Sequence, residues 1–166
     1  HPELFNDINS ENAVERLQLF IHEDWINNEG SCMIDKLIEF IARHFEEFDK
    51  EKLKGLENSV LERIIGNKHL KLRDEDSLLK FVLDKYSEDE SSSNLFSYVL
   101  FCNASDEMIG DFVDKFDIGG LNSGVWKSIC RRLLGAEMNC PWRYIESFEV
   151  YESRQKPFEG IMHHLT

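Results

Sequence analysis

Proline is scarce in this sequence. The 166 residues include 3 Pro, and none lies between Pro2 and Pro141. Because proline breaks helix interiors, this absence favours a long helical region. The given residues show no signal-peptide pattern and no apolar run approaching the roughly 18 residues that a membrane span needs. We therefore expect a helical, cytoplasmic protein with no membrane partner.

Basic residues are few compared with acidic ones. Lys and Arg number 19 against 32 Asp and Glu, which gives a net charge of −13. The whole excess falls in residues 1–116, since residues 117–166 hold 6 basic and 6 acidic groups. Phosphate backbones and anionic membranes are poor partners for such a surface, so nucleic acid is not expected as a partner. A partner with a basic groove is one interpretation, and a solvated acidic surface that keeps the protein soluble is the more common one.

Cysteine motifs are also missing. The four Cys are widely spaced, with no C-x-x-C pair and no His at ligand spacing. This pattern favours free thiols in a reducing compartment over disulfides or zinc ligands. The adjacent His163 and His164 cannot form one chelating face, because neighbouring residues of a helix point about 100° apart. We expect no metal and no cofactor.

The usual signs of catalysis are absent as well. Residues 119–128 approach the phosphate-binding loop G-x-x-x-x-G-K-[ST], but Val125 stands at the lysine position. A helix stop is the preferred interpretation of these glycines. No Ser lies in a G-x-S-x-G elbow, and carboxylate clusters such as Glu46-Glu47 and 88–90 are expected to be exposed, where acid or base catalysis is not favoured. The sequence does not predict an enzyme.

What the chain does contain is a series of apolar stripes at helical spacing. Asp49 is a predicted N-cap between the first stripe and a short helix, and Asp74-Glu75-Asp76 forms an acidic first turn suited to a helix N-terminus. The stripes between positions 34 and 86 comprise Ile34, Leu37, Ile38, Ile41, Phe45 and Phe48; Leu53 and Leu56; Val60, Leu61, Ile64 and Ile65; and Leu78, Leu79, Val82, Leu83 and Tyr86.

Three of these pieces, at 41–48, 52–65 and 70–86, together resemble the BACK domain that lies between a BTB domain and a C-terminal recognition domain in BTB-BACK-Kelch proteins. Tyr86 stands near the place where the family usually has Trp, and Glu75 or Asp76 where it has Glu. The resemblance covers about a third of the chain well and another third weakly. It implies an all-α fold of stacked antiparallel helical hairpins. After Gly135 the pattern changes to a run richer in aromatic residues with only local alternation, which predicts an irregular, partly extended C-terminal segment. The chain is thus divided into a lead-in at 1–10, a BACK-like domain at 11–134 and an extension or linker at 135–166.

By the same resemblance, the domain is a non-catalytic spacer and platform. It would orient a substrate-recognition domain in a cullin-based ubiquitin-ligase adaptor, with an upstream BTB domain and a cullin as partners. The alternative is a helical protein-interaction scaffold unrelated to ubiquitin. An observation that distinguishes them is whether the full chain carries a BTB domain upstream.

The predicted helix pair at 13–45, whose first helix carries the apolar residues from Ala13 to Trp25, has two interpretations. The resemblance places it either in the 3-box, which helps the BTB domain hold a cullin, or in the first BACK hairpin. A 3-box would make Leu17, Phe20, Ile21 and Trp25 candidate partner contacts, whereas a BACK hairpin would make them core. Asn27, Asn28 and Gly30 are expected to break the helix.

Downstream of Tyr86, residues 87–93 are predicted to form a solvated acidic loop. A helix carrying Leu95, Phe96, Val99 and Leu100 is then expected to pair with a second helix, capped by Ser105, as an antiparallel hairpin. The apolar stripe of the second helix comprises Met108, Ile109, Phe112, Val113 and Phe116, and that of a last helix, capped by Asn122 or Ser123, comprises Val125, Trp126, Ile129, Cys130 and Leu133.

Overall fold

The computed structural model describes residues 7–22, 28–135 and 141–145, with the side chains of 28–30 and of 141 left aside. This part of the chain is all-α, as predicted. No strand occurs in these ranges, and the nearest approach to one is a single parallel bridge between Leu72 and Tyr144. No helix among them is long and apolar enough to cross a membrane. The α-helices are α1 (Ala13–His22), α2 (Asn28–Arg43), α3 (Lys50–Lys54), α4 (Asn58–Ile65), α5 (Glu75–Glu88), α6 (Asp106–Lys115) and α7 (Ser123–Leu133), and the shorter 3₁₀ segments are Phe45–Glu47, Glu90–Tyr98, Phe101–Asn103, Ile118–Gly120 and Pro141–Arg143.

The stripes of α2 to α5 are confirmed as core. In the first stripe, Ile34 is half-buried and the other five residues are buried. Phe45 and Leu79 are both fully inaccessible. Asn28 and Gly30, expected to break the helix that begins at Ala13, instead lie inside the separate helix α2, and Asn27 lies outside the described residues.

Side-chain caps fix where several helices begin. Asp49 accepts a hydrogen bond from the backbone N–H of Glu51 at 2.9 Å, and Asp74 accepts from Ser77 at 2.8 Å. Ser105 and Asn122 cap α6 and α7 in the same way. Each cap satisfies a backbone donor that has no partner within its own helix. The caps predicted at Asp49 and Ser105, and Asn122 of the two predicted for α7, are confirmed.

The predicted hairpin after Tyr86 is wrong. Residues 90–98 and 101–103 form 3₁₀ segments rather than an α-helix, and α6 packs on α5. A local cap fixes where the first 3₁₀ segment begins, because the Asp89 carboxylate accepts from both the N–H and the hydroxyl of Ser91. Residues 87–93 are not a loop, because they comprise the end of α5 and the start of the 3₁₀ segment. Ser87, Glu88, Glu90 and Ser91 are exposed as expected, whereas Ser92 is buried and its hydroxyl donates to the Asp89 carbonyl.

The elements pack around one core in an order that differs from a regular ladder of hairpins. Helix α1 lies on α2, and α2 lies on α4. The segment Glu90–Tyr98 contacts α4, α5 and α7, so it forms the centre of the second half of the fold. The stripes of α6 and α7 are only partly buried. Phe112 and Val125 are in the core, but Val113, Trp126 and Leu133 are exposed.

The chain returns to the helical body after α7. Gly135 has a φ of 68°, the left-handed conformation typical of a residue just beyond a helix end. Residues 141–145 then lie beside Leu72, whose N–H donates to the Arg143 carbonyl at 2.8 Å and whose carbonyl accepts from the Ile145 N–H at 2.6 Å. The division of the chain at position 134 stays a prediction. Most of the partly extended segment predicted at 135–166 lies outside the described residues.

Candidate functional site

The four predicted partner contacts do not form one exposed surface. Leu17 is inaccessible and Phe20 is 4% exposed, so both side chains pack in the core. Ile21 is half-buried against the same core, and Trp25 lies outside the described residues. Leu17 and Phe20 are therefore core residues in this structure. Contact of this helix with a partner stays a prediction.

The structure instead brings together a buried polar group at the start of α5. We call it the Glu75 cluster; its members are Glu75, Asn103, Arg143 and Tyr144. Glu75 follows the capping residue Asp74, and its side chain is completely inaccessible. The two acidic neighbours thus have different environments, because each residue of a helix turns about 100° from the last.

The Glu75 carboxylate accepts four hydrogen bonds. Oε1 accepts from the Leu100 backbone N–H at 2.7 Å and from Arg143 Nη2 at 2.9 Å. Oε2 accepts from Arg143 Nε at 3.1 Å and from the Tyr144 hydroxyl at 2.6 Å. The guanidinium therefore binds the carboxylate through two of its nitrogens, an arrangement stronger than a single contact. Arg143 Nη2 also donates to the Tyr98 carbonyl at 2.9 Å.

The tyrosine completes the cluster. Asn103 Nδ2 donates to the Tyr144 hydroxyl at 2.7 Å while that hydroxyl donates to Glu75. Burial, followed by the hydrogen bond to the Glu75 carboxylate, raises the pKa of Tyr144 well above its usual value. Tyr144 consequently keeps its proton at physiological pH and acts as a donor.

The chemistry of the Glu75 cluster is that of a structural link. The carboxylate is occupied by a guanidinium, a hydroxyl and a backbone amide of the chain itself, so neither oxygen is presented to a substrate. The cluster joins three parts of the chain that are far apart in sequence: the start of α5, the 3₁₀ region around Leu100 and Asn103, and the segment 141–145. It thereby holds that segment on the helices.

A second feature is an open groove between α2, α4 and Tyr98, with a cavity volume of about 570 Å³. Its charged groups are already paired: Arg63 Nη2 contacts Asp35 Oδ1, and the Tyr98 hydroxyl donates weakly to Glu62 Oε1 at 3.4 Å. Burial, together with the nearby Glu62 charge, raises the pKa of Tyr98. The groove is open to solvent, and none of these contacts identifies a ligand.

The remaining candidates for chemistry are dispersed. In the part of the chain that the structure describes, no three His, Cys, Asp or Glu side chains are grouped to hold a metal ion. Cys32, Cys102 and Cys130 are free thiols. The glycines resembling a phosphate loop are structural, since Asn122 caps the backbone of α7 and Gly124 lies within that helix. Glu46, expected to be exposed, is half-buried and accepts from the Ser77 hydroxyl at 2.8 Å.

Sequence reasoning did not find the Glu75 cluster as a unit. Glu75 was indicated as part of an acidic first turn and as one of two positions where the BACK resemblance places a Glu, but not as a buried group. Arg143 and Tyr144 had no signal, because they lie 68 and 69 residues further along the chain. No family model, no curated protein and no solved structure matches this chain.

Proposed function

We propose that this chain is a non-catalytic, BACK-like spacer of a BTB-BACK protein, which orients a substrate-recognition domain in a cytoplasmic, cullin-based ubiquitin-ligase adaptor. The observation that carries the proposal is the Glu75 cluster. It binds residues 141–145 to the helices. The chain is therefore fixed to the helical core a second time after the end of α7. A spacer needs this property, because its end must have a defined position.

Stiffness is the physical contribution of such a domain. Helices that share one core transmit position, whereas a flexible linker of the same length samples many end-to-end distances. The buried residues from Ala13 in α1 to Val125 in α7 belong to one continuous core. The partners implied by the proposal are an upstream BTB domain and a cullin.

Calorimetric titration of the full-length protein with the cullin N-terminal region from the same source tests this proposal. We expect micromolar or tighter binding. Ile21→Ala, in the half-buried part of α1, should weaken it, whereas Leu19→Ala on the same helix is the matched control because Leu19 is 51% exposed. Circular dichroism checks that both variants are folded. No binding by the folded protein would overturn the ubiquitin-ligase assignment.

The second candidate is an interaction scaffold unrelated to ubiquitin. The observation that favours it is the exposure of large apolar side chains on α7, since exposed apolar patches often mark protein interaction sites. This candidate would be supported if the folded full-length protein did not bind the cullin but did bind another protein.

A further inference from the structure

Helix α7 has two apolar sides, and only one of them packs on the body. On the inner side, Val125 and Ser128 are buried and Arg132 donates to the carbonyls of Phe101 and Ala104. The outer side carries Trp126, 52% exposed, and Leu133, 75% exposed. At about 3.6 residues per turn, these two and the residues Cys130 and Leu134 lie along one stripe of the helix.

Basic side chains border this stripe on one edge. Lys127 and Arg131 are exposed and lie next to the apolar positions on the helix surface. No acidic residue occurs in α7, and neither Lys127 nor Arg131 forms an ion pair within the described ranges. This is the reverse of the chain as a whole, whose net charge is −13.

We propose that the exposed face of α7 is a docking surface for an acidic amphipathic helix of another protein. Apolar residues repeating every three or four positions match the ridges of a second helix, which would cover them. Acidic residues along the edge of that helix would meet Lys127 and Arg131, giving orientation and selectivity. A nucleic acid is a poor alternative, because its phosphates repeat along its whole length and would extend over the acidic remainder of the chain, whereas a short helix contacts only this face.

The proposal is independent of the spacer function and can be tested with two synthetic helical peptides. Both carry Leu at every third and fourth position; one has Glu along the flanks and the other has Lys. In titrations with the full chain we expect the Glu peptide to bind and the Lys peptide to bind at least about tenfold more weakly. Trp126→Ala should weaken binding of the Glu peptide about tenfold or more, as for an aromatic residue at the centre of an interface.

A charge reversal gives the most specific readout. The double variant Lys127→Glu, Arg131→Glu should lose the preference for the Glu peptide and favour the Lys peptide. Val113→Ala is the matched control, since Val113 is an apolar residue on α6 that is 67% exposed, and it should leave binding unchanged. These positions are exposed, so the melting temperatures of all variants should stay close to that of the parent.

Other results would overturn the proposal. Equal binding of the two peptides would show that charge does not select the partner, and no binding of either would show that the face is not available to a helix. Sedimentation experiments without peptide test for self-association of the chain. Self-association that is lost in Trp126→Ala would assign the face to a second copy instead.

Discussion

At the scale of single residues, Asp74 and Glu75 show how one position along a helix changes the role of a carboxylate. Asp74 caps α5 from the surface, while Glu75, one residue later, is turned into the core. A buried carboxylate is tolerated when it is paired and hydrogen-bonded, and Arg143 and Tyr144 supply those partners. Burial of this group therefore depends on the segment 141–145 being in place.

Arg143→Ala should destabilise the protein strongly. The change leaves the Glu75 charge buried with no cationic partner, which in other proteins costs about 3 to 5 kcal/mol. We expect the lower end, because the Arg143 side chain is 17% exposed. Urea denaturation measures the free energy of unfolding. Arg73→Ala is the control: Arg73 is exposed and has no ion pair within the described residues, so the change should stay within about 0.5 kcal/mol. Equal effects of the two variants would show that the pair is not structural.

Tyr144 predicts how stability responds to alkaline pH. Its pKa is raised in the folded state by burial and by the bond to Glu75. The protonated Tyr144 therefore contributes its full stabilisation of the fold below about pH 10, the pKa of tyrosine in an unfolded chain. This contribution is lost as pH rises above that value, by up to about 1.4 kcal/mol per pH unit. Denaturation curves measured between neutral pH and pH about 11 should show Tyr144→Phe losing less stability over this range than the parent. Parallel pH profiles of the two proteins would contradict the assignment.

At the scale of elements, the sequence predicted those helices whose apolar stripe and cap are both local. Helices α3 and α5 are such cases, whereas α4 and the second half of α2 were predicted from their apolar stripes alone. The region 90–103 was not predictable in this way, because its conformation depends on distant partners: the Leu100 N–H donates to Glu75, and the Val99 carbonyl accepts from Ser128. The Glu75 cluster was not predicted for the same reason, because tertiary packing brings its members together.

Two glycines at helix positions should respond to alanine in opposite ways. A Cβ at Gly110, in the middle of α6, would meet nothing within 4 Å, so Gly110→Ala should stabilise the protein by about 1 kcal/mol through helix propensity. A Cβ at Gly66 would lie 2.7 Å from Tyr98 Cε1 and 2.8 Å from the Glu62 carbonyl oxygen. Gly66→Ala should therefore destabilise by roughly 1 to 3 kcal/mol, as overpacking does.

Thermal denaturation of both glycine variants beside the parent measures these shifts. The same substitution at two helix positions makes each variant the control for the other. If the melting temperatures of both variants shift in the same direction, the close contact with Tyr98 is not the reason for a glycine at position 66.

At the scale of the whole molecule, aromatic side chains connect the two halves of the core. Phe45, just after α2, meets Phe81 of α5 with ring centroids 5.3 Å apart. Further along α5, Tyr86 meets Phe96 at 5.5 Å, and Phe96 meets Phe112 of α6 at 5.1 Å. Edge-to-face contacts of this kind add to burial, so the halves should not unfold separately.

Cooperativity is the expected result of this arrangement, and a stiff spacer requires it. Phe45→Ala removes a fully buried ring and should lower the free energy of unfolding by about 3 to 5 kcal/mol. If the molecule is one unit, native-state hydrogen exchange should show the slowest amides of α7 losing as much protection as those of α2, although the main contacts of α7 are with the segments Glu90–Tyr98 and Phe101–Asn103. Leu79→Ala, in α5 between them, should give the same uniform loss, about 2 to 5 kcal/mol in size. Protection retained in α7 while α2 opens would mean that the two halves unfold independently, and a domain of that kind could not hold a neighbouring domain in a defined position.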